Sequence, residues 1–337
     1  MKIHEKYMQR CLDLAKNGLG TTYPNPVVGC VIVGDQRIIS EGWHHKAGAR
    51  HAEAEAIGRL VNKRLLIGAT LYVSLEPCNH YGLTPACSQL IVSSGIAKVV
   101  VGAMDPNPKV NGSGVAHLRD NGIEVITDIL GEQARKINRR FFTFITEKRP
   151  YIILKWAETS NGFSAPLKKD MQRPVWITNA KARQHVHRLR AEEQAILIGS
   201  KTLRQDDPRL TAAQWTNNDP AVFVLGQADE SDELLTLFKQ TPRAKRITSD
   251  QWLSAPAIAQ HLFQQDIQSV IVEGGTKTIQ SFIDQGLWDE CFIYRSQQTW
   301  TNGIESPKLD KVATDIIAYF DTDELHHAYG QPQPTTA

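Results

Sequence analysis

Five cysteines in 337 residues (Cys11, Cys30, Cys78, Cys87 and Cys291) are too few and too dispersed for a disulfide framework. A reducing, cytoplasmic setting is the resulting expectation. An excess of one charge is also missing, because 38 Lys and Arg stand against 36 Asp and Glu and the basic residues are scattered. That excludes the electrostatic footprint of a nucleic-acid binder and favours a small-molecule substrate. No run of about 18 apolar residues occurs, so no membrane span is expected, and the stretch from Met1 to Lys16 lacks the apolar core of a signal peptide. Repeats and low-complexity tracts are absent apart from the tail after Gly330, rich in Pro, Gln and Thr, which reads as disordered. What remains is an ordinary globular composition, 41% hydrophobic and 22% charged, over a length suited to about two domains.

Against that background one constellation stands out. His51-Ala52-Glu53 is followed by Pro77-Cys78 and, after eight intervening residues, by Cys87. One imidazole and two thiols give zinc three protein ligands, whereas closed structural sites use four. The coordination position left open is where water becomes a nucleophile near neutral pH. H-x-E followed by P-C and a second cysteine is the zinc-deaminase signature, in which the glutamate moves protons and does not bind the metal. An isolated H-x-E is only a solvated helix start; the two cysteines change that reading.

The pattern along the chain puts these residues at element ends. Met8, Leu12 and Ala15 recur at helical spacing, predicting a helix over 4–16. Gly29 to Val33 and Arg37 to Ile39 flank a polar Gly34-Asp35-Gln36 turn and read as a hairpin. His51 to Leu60 reads as a helix with His51 and Glu53 in its first turn, Leu71 to Leu75 as a strand, and Cys87 to Val92 as a helix ended by Gly95. Strand 97–102, a helix around 115–120, strand 123–126 and a last helix over 131–146 complete an α/β layered domain. Glu147-Lys148-Arg149-Pro150 is a polar break, giving domains 1–147 and 148–337. In the second, strands are expected at 151–156, 175–178, 195–198, 222–225 and 270–272, with loops dominating between Ala228 and Pro256.

Further motifs accompany the signature: Pro24-Asn25-Pro26-Val27-Val28-Gly29-Cys30, Leu75-Glu76-Pro77-Cys78, Gly82 with Thr84-Pro85, and Asp105-Pro106-Asn107-Pro108 with Gly112-Ser113-Gly114. Together they resemble the deaminase half of the bifunctional riboflavin-biosynthesis deaminase–reductases of RibD type. The eight-residue gap separates this group from cytidine and transfer-RNA deaminases, which usually have two residues there. The resemblance implies a cytidine-deaminase-like three-layer domain followed by a dihydrofolate-reductase-like α/β domain. It also implies zinc on His51, Cys78 and Cys87, Glu53 as proton shuttle, and Asn25 against the pyrimidine edge. His44, His45 and His80 are weaker candidates for ring or phosphate contacts. Leu83 stands where the family generally carries Arg or Lys, so phosphate binding must lean on groups such as Lys46, Arg50 or Lys109.

The second half is similar to the reductase partner through Lys155, Trp176-Ile177-Thr178, Arg190-Ala191, Thr202, Asp206-Asp207-Pro208 with Leu210-Thr211, and Glu273-Gly274-Gly275. The resemblance implies NADPH on Trp176, Thr202, Asp206 and Gly275, and substrate on Arg190, Leu210 and Glu273. Asn161, Ala213 and Leu225-Gly226-Gln227 depart from the pattern, each removing a charged group the family usually has. Two readings follow for this half: an NADPH-dependent reductase with weakened binding, or a non-catalytic module on a deaminase. A nucleic-acid deaminase and a zinc-stabilised interaction protein are the rivals from other classes. A phosphorylated pyrimidine as substrate, no nucleic acid, no membrane, and a homodimer or homotetramer are the implied partners.

Overall fold

The computed structural model describes residues 2–79, 86–108, 110–240, 244–248, 254–310 and 312–330. His80, Leu83, Lys109 and the tail after Gly330 lie outside them. The chain divides into two compact units, Met1–Lys148 and Arg149–Ala337. Among the described residues, no helix is long and apolar enough to cross a membrane.

The first unit runs α1 (Lys2–Ala15), β1 (Gly29–Gly34), β2 (Arg37–Trp43), α2 (Ala52–Arg59), β3 (Thr70–Leu75), α3 (Cys87–Ser93), β4 (Lys98–Ala103), α4 (Ser113–Asp120), β5 (Glu124–Ile126), α5 (Gly131–Ile137) and α6 (Arg139–Glu147). Its sheet has the order β2-β1-β3-β4-β5. β1 is antiparallel to β2 and β3, while β3, β4 and β5 are parallel. Strand alternation feeds two cores, because successive side chains leave opposite faces of the sheet. Ile32, Leu71, Val73, Val99 and Val101 meet Ala52 and Ala56 of α2, Ile91 of α3 and Leu118 of α4. Val31, Tyr72 and Val100, from the other face, meet Tyr7, Met8 and Cys11 of α1. Three layers result. The hairpin turns on Asp35 and Gln36, both at positive φ, the twist that suits a two-residue connection between right-handed strands.

The helix expected over 131–146 is broken into α5 and α6 at Asn138. The reason is tertiary: the buried Asn138 side chain turns to the loop before β1, accepting from Val27 N–H and donating to Val27 C=O, both at 2.9 Å. This two-point clamp fixes the segment that carries Asn25.

The second unit contains β6 (Tyr151–Glu158), β7 (Phe163–Ala165), α7 (Ala180–Glu192), β8 (Ala195–Gly199), α8 (Ser200–Asp206), β9 (Ala221–Leu225), α9 (Thr236–Gln240), β10 (Ala244–Ile247), α10 (Ala255–Phe263), β11 (Ser269–Val272), α11 (Thr276–Asp284), β12 (Glu290–Arg295), β13 (Ile304–Glu305), β14 (Asp315–Phe320) and β15 (Asp323–Tyr329). The main sheet is β10-β9-β8-β11-β6-β12-β15-β14, parallel through β12 and antiparallel beyond it. β8, β11 and β6 are neighbours, so the segments leaving their carboxyl ends come together, where open α/β sheets bind ligands.

Two expectations fail here. Residues 175–178 form no strand: Val175 and Trp176 are exposed, and the run leads into the Asn179 side chain that caps α7 through Ala182 N–H. β-Branched composition makes a strand only where a partner edge is free to pair. The loop expected between 228 and 256 contains α9 and β10. β10 is a short edge strand of sequence Ala-Lys-Arg-Ile, created by pairing with β9 and not by any hydrophobic pattern of its own.

Replacing Asn138 with Ala leaves the buried Val27 N–H and C=O unsatisfied, a cost of about 1–3 kcal/mol for each group. Urea unfolding of the intact chain, with hydrogen exchange of first-unit amides as the probe, should show that loss. Unchanged stability would mean the clamp contributes nothing.

Candidate active site

His51 is the N-cap of α2 in extended backbone (φ −69°, ψ 161°), so its ring leaves the helix end instead of lying along the barrel. Cys78 follows β3 by three residues, and Cys87 opens α3. These three elements pack around one point. His51 Nδ1 is 3.5 Å from Cys78 Sγ and 3.3 Å from Cys87 Sγ, and the three ligand atoms lie within 4.8 Å of one another. A tetrahedral zinc with ordinary Zn–S and Zn–N lengths needs sulfur–nitrogen separations of about 3.6 Å. The donor set therefore fits the ion.

The site is electrostatically crowded. The hydrogen bond from Cys87, together with His51, holds the Cys78 thiol down to about 4, while the contact with Cys78 and burial push the Cys87 thiol well up. Cys87 N–H also points at Cys78 Sγ, 3.5 Å away. His51 is raised, chiefly by its contact with Cys78. Glu53 sits in the first turn of α2, 3% exposed, and burial followed by the Cys78 charge lifts it to about 7. A carboxyl poised there can accept and return a proton at neutral pH.

Asn25 reaches the cluster through His44, a residue the sequence offered only as a weak candidate. The buried His44 ring stands edge-on to His51 with centroids 5.4 Å apart. Its Nδ1 donates to Arg50 C=O at 3.0 Å, and burial lowers its pKa, so the neutral Nε2 accepts Asn25 Nδ2–H at 3.0 Å. The Asn25 amide is oriented by that chain. Glu76 is the residue whose structural part sequence reasoning missed: its buried carboxylate accepts backbone N–H groups of Asp105, Gly112, Gly114 and Val115. The signal was its position in the Leu75-Glu76-Pro77-Cys78 motif.

In the second unit, Glu273 at the end of β11 is gripped by Arg190 through two bonds of 2.7 and 2.8 Å, with Lys155 Nζ at 3.5 Å. Burial alone would push Glu273 up, but Arg190 and then Lys155 outweigh it and hold the carboxyl at about 2. Tyr294 closes the group, its ring 5.6 Å from Lys155 Nζ and its hydroxyl 2.8 Å from His185 Nδ1. Gly275 faces Thr202, whose Oγ1 would be in ordinary contact, 3.4 Å, with a Cβ at 275; it is the φ of +76° that favours glycine there. Leu210, also at positive φ, buries its side chain with Leu189 and Leu203. Asp206 is paired to Lys169, and the exposed Trp176 lies against Arg183 at 4.8 Å. The described contacts do not join either of them to Gly275.

The departures at Asn161, Ala213 and Gly226 take structural form. Asn161 Oδ1 accepts from Thr159 Oγ1 and Trp300 N–H, and Nδ2 donates to Trp300 C=O at 2.7 Å. An ionised Asp could not make the last bond. Ala213 is exposed in a turn, and Gly226 is tied by its N–H to Ile247 C=O at positive φ.

Glu273→Gln should destabilise the second unit by about 3–5 kcal/mol at neutral pH, because it leaves Arg190 and Lys155 buried without a counter-charge. Since the folded pKa lies below the ordinary 4.5, the carboxylate's contribution is complete above that value and is lost as pH falls toward about 2. Denaturant midpoints of both proteins should therefore converge on acidification. A gap independent of pH would disprove the ionic origin.

Residues 1–103 match the family model of the cytidine and deoxycytidylate deaminase zinc-binding region, and residues 150–296 match that of the RibD C-terminal domain. The riboflavin biosynthesis protein RibD of Aquifex aeolicus is 37% identical over 355 residues, covering 95% of this chain and 98% of that one. The Escherichia coli RibD is 34% identical over 323 residues, 86% of each chain. Among solved structures, the Thermotoga maritima diaminohydroxyphosphoribosylaminopyrimidine deaminase/5-amino-6-(5-phosphoribosylamino)uracil reductase superposes with a TM-score of 0.87 at 35% identity, covering 98% of this chain and 99% of that one. Acinetobacter baumannii RibD gives 0.87 at 30% identity with the same coverage. Matched along nearly its whole length and in both of its units, the chain belongs to the RibD family of riboflavin-biosynthesis proteins, with a deaminase unit ahead of a reductase unit.

Proposed function

We propose that the chain deaminates 2,5-diamino-6-(5-phosphoribosylamino)pyrimidin-4-one and then reduces the ribosyl group of the resulting uracil to ribityl with NADPH. The observation that carries the first step is the meeting of His51 Nδ1, Cys78 Sγ and Cys87 Sγ beside a buried carboxyl, Glu53, poised near 7. His51, Cys78 and Cys87 would hold zinc, which when bound supplies the Lewis acidity that makes water nucleophilic at neutral pH. Glu53 takes the proton of the attacking water and delivers it to the ring nitrogen. As the carbon–nitrogen bond breaks, the same carboxyl takes the proton of the newly added hydroxyl and passes it to the departing amine, so ammonia leaves and a carbonyl remains. Asn25, oriented by His44, offers its remaining amide oxygen to the pyrimidine edge.

For the second step, NADPH supplies the hydride, and the protein binds and orients. The open cradle between Thr202 and Gly275 at the carboxyl ends of β8 and β11 supports a dinucleotide phosphate there. Arg190, held by Glu273 and by Thr211 C=O, and the nearby Leu210 backbone would face the ribosyl phosphate end. Glu273 acts as an anchor and not as a proton donor, because its carboxyl stays ionised at neutral pH. Edge strand β14 exposes Ile316, Ile317 and Tyr319, which supports self-association as a homodimer or homotetramer. All five thiols are free, and thiolate ligands persist where thiols stay reduced, which supports a cytoplasmic location.

Metal analysis of the purified protein should find one zinc per chain, lost in Cys78→Ser and Cys87→Ser and kept in Glu53→Gln, with deamination abolished in all three. Activity in Glu53→Gln, or loss of its metal, would refute the assigned role. Gly275→Val should raise the KM for NADPH at least about tenfold, the equivalent of one lost contact of about 1.4 kcal/mol, and spare deamination. Normal NADPH affinity in that variant would remove the cradle from the cofactor site.

A further inference from the structure

The deaminase centre rests on a group that touches none of the reacting atoms. Glu76 lies between β3 and Cys78, and its carboxylate is 4% exposed. Its Oε2 accepts N–H from Asp105 and Gly112 at 3.3 and 3.0 Å; its Oε1 accepts from Gly114 and Val115 at 3.0 and 3.2 Å. All four donors belong to the segment that leaves β4 and enters α4. The Glu76 N–H is itself bonded to Ala103 C=O at 2.9 Å. Two residues on, Cys78 C=O accepts Ser88 N–H at 3.1 Å, and Ser88 Oγ bonds Asn79 Oδ1 at 2.7 Å. The short peptide carrying the Cys78 ligand is therefore anchored on one side by the carboxylate and on the other by α3. Close packing reinforces the first anchor: a Cβ on Gly114 would fall 1.9 Å from Pro77 C=O and 3.3 Å from Glu76 Oε1.

We propose that Glu76 is a positioning residue of the deaminase, buckling the Cys78 peptide to the Asp105–Val115 segment so that Cys78 Sγ is held at ligand distance from His51 and Cys87. This rests on the reading of those three residues as the zinc site. The geometry requires a side chain of this length with two acceptor oxygens. A glutamine offers one acceptor oxygen and one NH2, so one of the two donor pairs, Asp105 with Gly112 or Gly114 with Val115, would meet N–H against N–H. Groups that orient ligands without binding the metal typically contribute about 10- to 100-fold in affinity or activity.

The test compares the full-length protein with Glu76→Gln and Gly114→Ala. Zinc release to a chelator, the electronic spectrum of the cobalt-substituted protein, deaminase kcat and KM, and reductase turnover of the same samples are measured. Glu76→Gln should release zinc about 10- to 100-fold faster and lower kcat in the same range with a smaller change in KM. Its cobalt bands should shift, while reductase turnover, the internal measure of folded protein, stays at the original level. Gly114→Ala, which displaces Pro77 and leaves the carboxylate in place, should change the same readouts in the same direction, and it decides the matter if Glu76→Gln does not accumulate. Zinc retention, cobalt spectrum and kcat matching the original protein, with only a lower Tm, would overturn the positioning role. Absence of zinc from the unsubstituted protein would instead overturn the reading of the metal site, and the buckle with it.

Discussion

Two thiols and an imidazole brought within 4.8 Å of one another inside a folded chain cannot all keep their ordinary protonation. The Cys78 thiol is pushed down and the Cys87 thiol up, and a donor set of this kind fits a divalent cation. Much of the first unit serves this convergence. β3 leads to Cys78, α3 begins at Cys87, and the N-terminal end of α2 carries His51 as its cap with Glu53 two residues later. Burial that would be a liability for an isolated carboxyl lifts Glu53 to about 7, the range in which a carboxyl can exchange protons at neutral pH.

The second unit solves the opposite problem. The Glu273 side chain, 5% exposed, is neutralised by Arg190 and Lys155, so it stays ionised. The two glutamates differ in environment: burial leaves one carboxyl lifted to about 7, while buried cations hold the other ionised. That difference suits hydride chemistry, where the reactive atoms belong to the cofactor and orientation is what the protein adds.

Short-range chemistry made much of this legible without coordinates. The H-x-E and P-C spacing, the alternation of Leu71, Val73 and Leu75 in β3, and the polar Gly34-Asp35-Gln36 hairpin turn each depend on residues a few positions apart. The Asn161 departure looked like a lost charge, yet the amide is what Trp300 requires, because only an amide both donates and accepts across that loop.

Local pattern by itself determined the α/β class, the two-unit organisation, the His51, Cys78 and Cys87 constellation with its carboxyl neighbour, and the glycines that follow β11. Tertiary structure alone decided the rest. Asn138 breaks a helix that its sequence permits because Val27, 111 residues away, needs two hydrogen bonds. Residues 175–178 fail to form a strand for want of a free edge, whereas β10 forms because β9 supplies one. The pairing of Arg190 with Glu273 and the four-donor grip on Glu76 join segments tens of residues apart. Hydrogen bonding and burial act through space, and a periodicity carries no record of which distant backbone group will arrive.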